Sequence, residues 1–419
     1  MATEKVERAA RGGAFSRKTT LVWAAVVVVL LVAGAPFLFD RLANGLGMAD
    51  TTNRVPWGLW VVAYTWFSGL AGGLFLISSL AYLFRLRRFM PIARLALAGS
   101  VVSLAVSMLL IGLDLGVLGN AMGTLLFFHW SSALSWEIKL YLVFAVIALV
   151  QLVLVLRNSS ADPQRRGNKN LVIRVLSGLG VALSFVGPPG GTGMFFAVVK
   201  ARGLWNDGAT AVLFYLVAVV TAAAFLLVVY RLLTRFRQRQ PERETLRGLA
   251  VTFAAALVAS AFVVYFLLVT PLMSGAVQSG QAVQTMLFGS LAPVFWVGEV
   301  GVGLVLAGVL LVDALRRNRT SSAVAAGCAA MVGVFALRYV FVLAGLSVPL
   351  FDGMPNPVYA PNLAEVMVVV FALGLAVGLF GLVVRWLPLE VLSASEGMME
   401  ADGVSATVAG QEEAQHAAA

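Results

Sequence analysis

Ten stretches of roughly 20 or more mostly apolar residues alternate along the chain with short polar connections. They fall near 20–39, 55–84, 92–119, 134–156, 171–199, 209–233, 247–270, 293–315, 322–346 and 363–387. Each can cross the hydrocarbon core of a bilayer as a helix, and the longer ones predict tilt or extension past it. Lipid offers no hydrogen-bond partner to open backbone, so no other spanning form fits. The expected fold is an all-α membrane protein of about ten transmembrane helices. Residues 20–387 form its membrane domain, after a basic cytoplasmic N-terminus over 1–19. The segment 388–419 has acids, Ala, Gly and Ser but no Lys or Arg, and reads as a disordered cytoplasmic tail.

Charge gives the orientation. Of the 30 Lys and Arg, 24 lie in the N-terminus, the even-numbered connections and the end of the last stretch. The exceptions are Arg41, Arg54, Lys139, Lys200, Arg202 and Arg338. Such a bias puts the basic connections and both termini inside a bacterial cytoplasmic membrane. Ala33-Gly34-Ala35 resembles a processing site, but the first apolar run is long for a signal peptide and reads as a retained anchor.

Composition narrows the class. Apolar residues make up 60% of the 419 positions and charged residues 12%, far from the balance of a soluble domain. The net charge of +10 is dispersed between spans, which argues against nucleic acid as a partner. One cysteine, Cys328, excludes a cysteine-ligated cluster or zinc site within this chain. The histidines are His129 and His416, and the latter lies in the tail, so neither haem nor iron–sulfur is expected here.

Polar residues within spans usually mark function. Asp114, His129, Glu137, Arg202, Glu299, Arg338, Tyr359 and Glu365 all map to the non-cytoplasmic half. So do Trp57, Trp60, Trp66, Trp130, Trp136, Trp205 and Trp296, against Trp23 and Trp386 on the other side. Asp114 and Arg338 admit two readings, a structural ion pair or a ligand or proton site. Lys200 and Arg202 either snorkel or contact a ligand. Gly187-Pro188-Pro189-Gly190-Gly191-Thr192-Gly193 breaks the fifth stretch, and either borders a cavity or only kinks the helix. Gly69-x-x-x-Gly73 and Gly374-x-x-x-Gly378 predict close helix approach.

Several segments together resemble the NrfD/PsrC family of polysulfide-reductase-like membrane subunits. They are Val55-Pro56-Trp57-Gly58-Leu59-Trp60, Gly69-Leu70-Ala71-Gly72-Gly73, Leu113-Asp114-Leu115-Gly116, Lys200-Ala201-Arg202-Gly203-Leu204-Trp205-Asn206 and Tyr359-Ala360-Pro361-Asn362-Leu363-Ala364-Glu365. They occur in family order over about 55–390. The resemblance implies two four-helix bundles, of helices 2–5 and 6–9, plus flanking helices. It implies a quinone, menaquinone or ubiquinone, exchanging electrons with an extramembrane iron–sulfur (ferredoxin-like) subunit. Beyond that partner would lie a molybdenum, hydrogenase or multihaem cytochrome subunit.

Quinone chemistry moves two electrons and two protons, so it needs a donor to oxygen, carboxylates to relay protons and an apolar wall. Asp114, His129, Glu137 and Glu365 are the candidates for proton transfer. Trp57, Trp60, His129, Arg202, Trp205, Arg338 and Tyr359 are the candidates for holding the quinone. Ten helices with a break also suit a secondary transporter, or a passive anchor without its own site. If the orientation is right, an alkaline phosphatase reporter fused within 274–292 is active and one fused at 316–319 is inactive; the reverse pattern would refute it.

Overall fold

The computed structural model describes residues 16–120, 123, 126–127, 129–157, 163–237, 240–351 and 353–387. The expected tail, and the N-terminus before Ser16, lie outside these. Among the described residues ten helical spans are long and apolar enough to cross a membrane, and no strand occurs. Twelve helices are labelled: α1 Arg17–Asn44, α2 Leu59–Tyr82, α3 Met90–Asp114, α4 Ala133–Leu156, α5 Pro163–Val186, α6 Gly190–Ala197, α7 Gly208–Phe236, α8 Arg243–Met273, α9 Val277–Leu287, α10 Val294–Arg317, α11 Thr320–Leu346 and α12 Leu363–Trp386. The fifth span is α5 and α6 together, and α9 is a short helix in the connection before α10.

Two four-helix rings result. In the first, α2 packs on α3, α3 on α4, α4 on α5 and α5–α6 back on α2. In the second, α7 packs on α8, α8 on α10, α10 on α11 and α11 on α7. The seam between them is α2 against α7 and α11, with α6 also against α7. Helices α1 and α12 pair with each other on the flank, and α12 leans on α3.

Small residues make the close approaches. A Cβ at Gly73 would lie 2.1 Å from the Ala218 carbonyl oxygen, so the seam closes only because none is there. At Gly374 it would lie 2.8 Å from Leu30 Cβ, which brings α12 onto α1. Both glycine pairs marked in the sequence include a helix–helix contact. Water is absent at this depth, so packing rather than hydrophobic transfer drives such contacts.

Hydrogen bonds tie the connections at each end. At the arginine-rich end Thr245 donates to the Arg88 carbonyl at 2.8 Å, and Arg237 donates to that of Val384 at 3.0 Å. At the opposite, arginine-poor end Arg41 Nε donates to the Leu113 carbonyl at 2.8 Å. There too Arg202 donates to Val348 at 2.8 Å and to Arg54 at 3.5 Å.

Candidate functional site

The α4 helix begins behind Ser132, whose hydroxyl accepts from the Ser135 N–H at 3.3 Å. Glu137 therefore sits in the second turn, and Tyr141 lies four residues on, on the same face. Both are buried, at 3% exposure each. The third contributor comes from the break between α5 and α6. A Cβ at Gly72 of α2 would lie 2.4 Å from the Pro188 carbonyl oxygen, so only a glycine lets the break nest there. The restarted helix α6 then carries Thr192 into the first ring. Its hydroxyl lies 2.6 Å from that of Tyr141 and 3.2 Å from that of Ser68 on α2. Ser68 and Tyr141 are themselves hydrogen-bonded. Three helices thus bring three hydroxyls into mutual contact.

Glu137 stands beside this chain of hydroxyls. The Tyr141 and Thr192 hydroxyls reach toward it, but neither carboxylate oxygen makes a hydrogen bond of good geometry. Arg338 on α11 is also buried, at 2% exposure. Its guanidinium lies over the Phe214 ring, 3.5 Å from the centroid, and Nη2 donates to the Phe214 carbonyl at 3.4 Å. Its Nε has no partner. Tyr64 and Tyr141 lie within its electrostatic reach. An acid and a base, both short of hydrogen bonds, are thus held inside the protein with hydroxyls around them. Such groups are costly in a membrane and the arrangement is suited to moving protons.

The other candidates have protein partners. Glu365 closes a capping box with Asn362 at the start of α12. Its Oε2 also accepts from the Asp50 N–H at 3.3 Å, and its Oε1 accepts from the Tyr359 hydroxyl at 2.7 Å. That same hydroxyl accepts from the Leu59 N–H at 2.8 Å, and Trp60 donates to the Glu365 carbonyl at 3.1 Å. Burial, then the bond to Glu365, pushes the Tyr359 phenol above its ordinary range. Arg202 clamps two connections as described, and burial holds it below the usual arginine pKa. Trp57 stacks on Trp205 at 5.1 Å, Phe196 packs edge-on to both, and Trp205 donates to the Phe341 carbonyl at 2.9 Å. Trp205 and Phe196 are buried and Trp57 is half-buried.

Asp114 is half-buried, and its charged neighbours are Arg41 and Glu365. Arg338 is not among them, so the ion pair considered from sequence does not form. His129 is exposed, and its backbone N–H donates to Ser135 Oγ at 3.2 Å. The site residues thus divide into Glu137 with Arg338, Asp114 with Glu365 and Arg41, and His129 at the surface. The sequence reading missed Ser68, Tyr141, Thr192 and Arg41. Tyr141 was findable as the i+4 neighbour of Glu137, and Thr192 as the hydroxyl inside the break.

A cavity of about 360 Å³ runs from mid-bundle to the arginine-rich end, with Trp23, Trp66, Phe225 and Phe380 in its walls and Thr20 and Arg385 near one end. No carboxylate lines it, so it suits an apolar chain and not proton exchange. Among the described residues no three His, Cys, Asp or Glu side chains gather as metal ligands would.

The fold and this interior cluster define a multi-pass helical membrane protein with ionisable groups enclosed where its two four-helix rings meet. Residues 47–349 match the family described as polysulphide reductase, NrfD, and the chain belongs to that family. It is 27% identical to a selenate reductase subunit of Mesobacillus selenatarsenatis, over 87% of this chain and 93% of that one. It is 26% identical to the Hdr-like menaquinol oxidoreductase integral membrane subunit of Archaeoglobus fulgidus, over 65% and 66% of the two. A putative dimethyl sulfoxide reductase membrane subunit of Halobacterium salinarum is 25% identical over 54% and 55%.

The geometry of Tyr359 separates stability from chemistry. Tyr359→Phe removes two hydrogen bonds and should cost about 1–3 kcal/mol of stability. A lower thermal inactivation temperature with unchanged turnover per intact molecule is expected. Unchanged stability with lost turnover would make Tyr359 part of the chemistry.

Proposed function

We propose that this chain is a membrane subunit of a respiratory redox complex that exchanges electrons and protons with a quinone pool, and that Glu137 handles the protons. Membership of the NrfD family and the reductase and oxidoreductase names of the relatives support the first part. One relative's name includes menaquinol. The observation that carries the second part is a carboxylate 3% exposed, with no well-formed hydrogen bond to either oxygen, beside a chain of three hydroxyls.

Oxidising a quinol releases two electrons and two protons. The electrons pass to an iron–sulfur partner docked outside the membrane. Glu137 takes the two protons one after the other, passing the first on before accepting the second, and the hydroxyls of Tyr141, Thr192 and Ser68 give them a path to exchange along; quinone reduction runs the same steps backwards. Asp114, with Arg41 near it, lies toward the arginine-poor end, and His129 is exposed there. The charge bias puts that end on the non-cytoplasmic side. Exposed apolar side chains on its connections support a docked partner there: Leu126, Trp130, Phe351 and Val358 are 73%, 76%, 67% and 89% exposed. The relatives' names favour this reading over a secondary transporter. The unpartnered acid disfavours a passive anchor, because an orphan carboxyl in the membrane is costly without a use.

Glu137→Gln keeps the shape and removes the proton-carrying group. Quinol-linked electron transfer by the purified complex should fall by about 100-fold or more, with the same partner proteins still copurifying. Turnover near the wild-type rate would take Glu137 out of the mechanism.

A further inference from the structure

The second ring carries an acid that this mechanism leaves unused. Over Val294–Leu306, α10 is a π-helix, a rare form concentrated at functional positions. Gly303 and Gly333 meet backbone to backbone, where a Cβ on Gly303 would lie 2.6 Å from Gly333 Cα. This fixes the π segment against α11. One turn earlier Glu299 is 9% exposed, and its Oε2 has no hydrogen-bond partner.

Glu299 lines a cavity of about 250 Å³ among α7, α8, α10 and α11. Ser260 and Tyr265 of α8, Phe295 and Trp296 of α10 and Leu337 of α11 line it too. Tyr265 and Trp296 are 56% and 50% exposed on the outer surface of the spans, so the cavity faces the lipid. Trp296 is held there by donating to the Leu287 carbonyl at 2.9 Å. The Ser260 hydroxyl donates to Leu257 at 2.9 Å, which leaves its oxygen able to accept.

These features select a ligand by its chemistry. It arrives through the bilayer and packs on aromatic walls. It brings hydroxyl donors, because Ser260 and the free Oε2 of Glu299 are both able to accept. A phosphate diester headgroup offers acceptors alone. An aromatic diol with an apolar tail, that is, a quinol, offers two donors. We propose that the second ring holds its own quinol site at Glu299 and Ser260, apart from Glu137. None of the residues lining this cavity belongs to α2–α6. The inference rests on reading the chain as a quinone-reactive subunit.

The test is anaerobic calorimetry of the purified complex with menadiol, 2-methyl-1,4-naphthoquinol, as the probe. Two sites are expected in the wild type. Glu299→Met should weaken one about tenfold or more and spare the other. Ala261→Phe, which fills the cavity without touching the acid, should do the same. Thermal unfolding of both variants confirms that they fold. Glu137→Gln should affect only the remaining site. A single site, sensitive to Glu137→Gln and not to Glu299→Met, would overturn this inference and leave the first reading standing. No menadiol binding in the wild type would overturn both.

Discussion

Inside a bilayer an unmade hydrogen bond has no water to replace it, and every polar group within the spans answers to that rule. Most of them here do so through another helix. Arg41 reaches the carbonyls of Leu113 and Leu115, Trp60 reaches that of Glu365, and Trp205 reaches that of Phe341. These cross-links tie α1 to α3, α2 to α12 and the connection before α7 to α11 at the arginine-poor end. Against that background, Glu137, Glu299 and Arg338 are short of partners, as are single atoms of Ser78, Ser100, Gln151 and Arg174.

The same rule explains the break between α5 and α6. Two prolines and the adjoining glycines interrupt the helix at depth, and the freed backbone faces α2 rather than lipid. Gly72 permits that contact. The consequence is Thr192, which a continuous helix would not direct at Tyr141 in this way. The break is therefore both a packing device and the source of one hydroxyl in the polar cluster.

The spans were legible because a run of about 20 apolar residues has one outcome in lipid. Their ends were less so: the run expected over 20–39 extends to Arg17–Asn44, and that over 92–119 stops at Asp114. Polarity alone does not say where a helix gives way to a connection. The glycine pairs were legible because small residues permit close packing and little else. The cluster was only half visible. Glu137 stood out as a charge in a span, but Ser68, Tyr141 and Thr192 are hydroxyls of a kind found throughout such helices. Only their convergence from three helices gives them a role, and convergence is tertiary. The motif residues Tyr359 and Glu365 stood out in the sequence, but their hydrogen bonds to Leu59, Asp50 and Asn362 did not, because the acid that caps a helix and the acid that moves protons look alike in a sequence. The π-helix over Val294–Leu306 left no readable mark in the apolar pattern.

Proton exchange at Glu137 is the centre of this account, and it has a direct spectroscopic signature. A carboxyl that gains or loses a proton during turnover shows a C=O stretching band in the infrared difference spectrum between quinone-reduced and quinone-oxidised complex. That band should be present in the wild type and absent in Glu137→Gln. An unchanged difference spectrum in the variant would contradict the account.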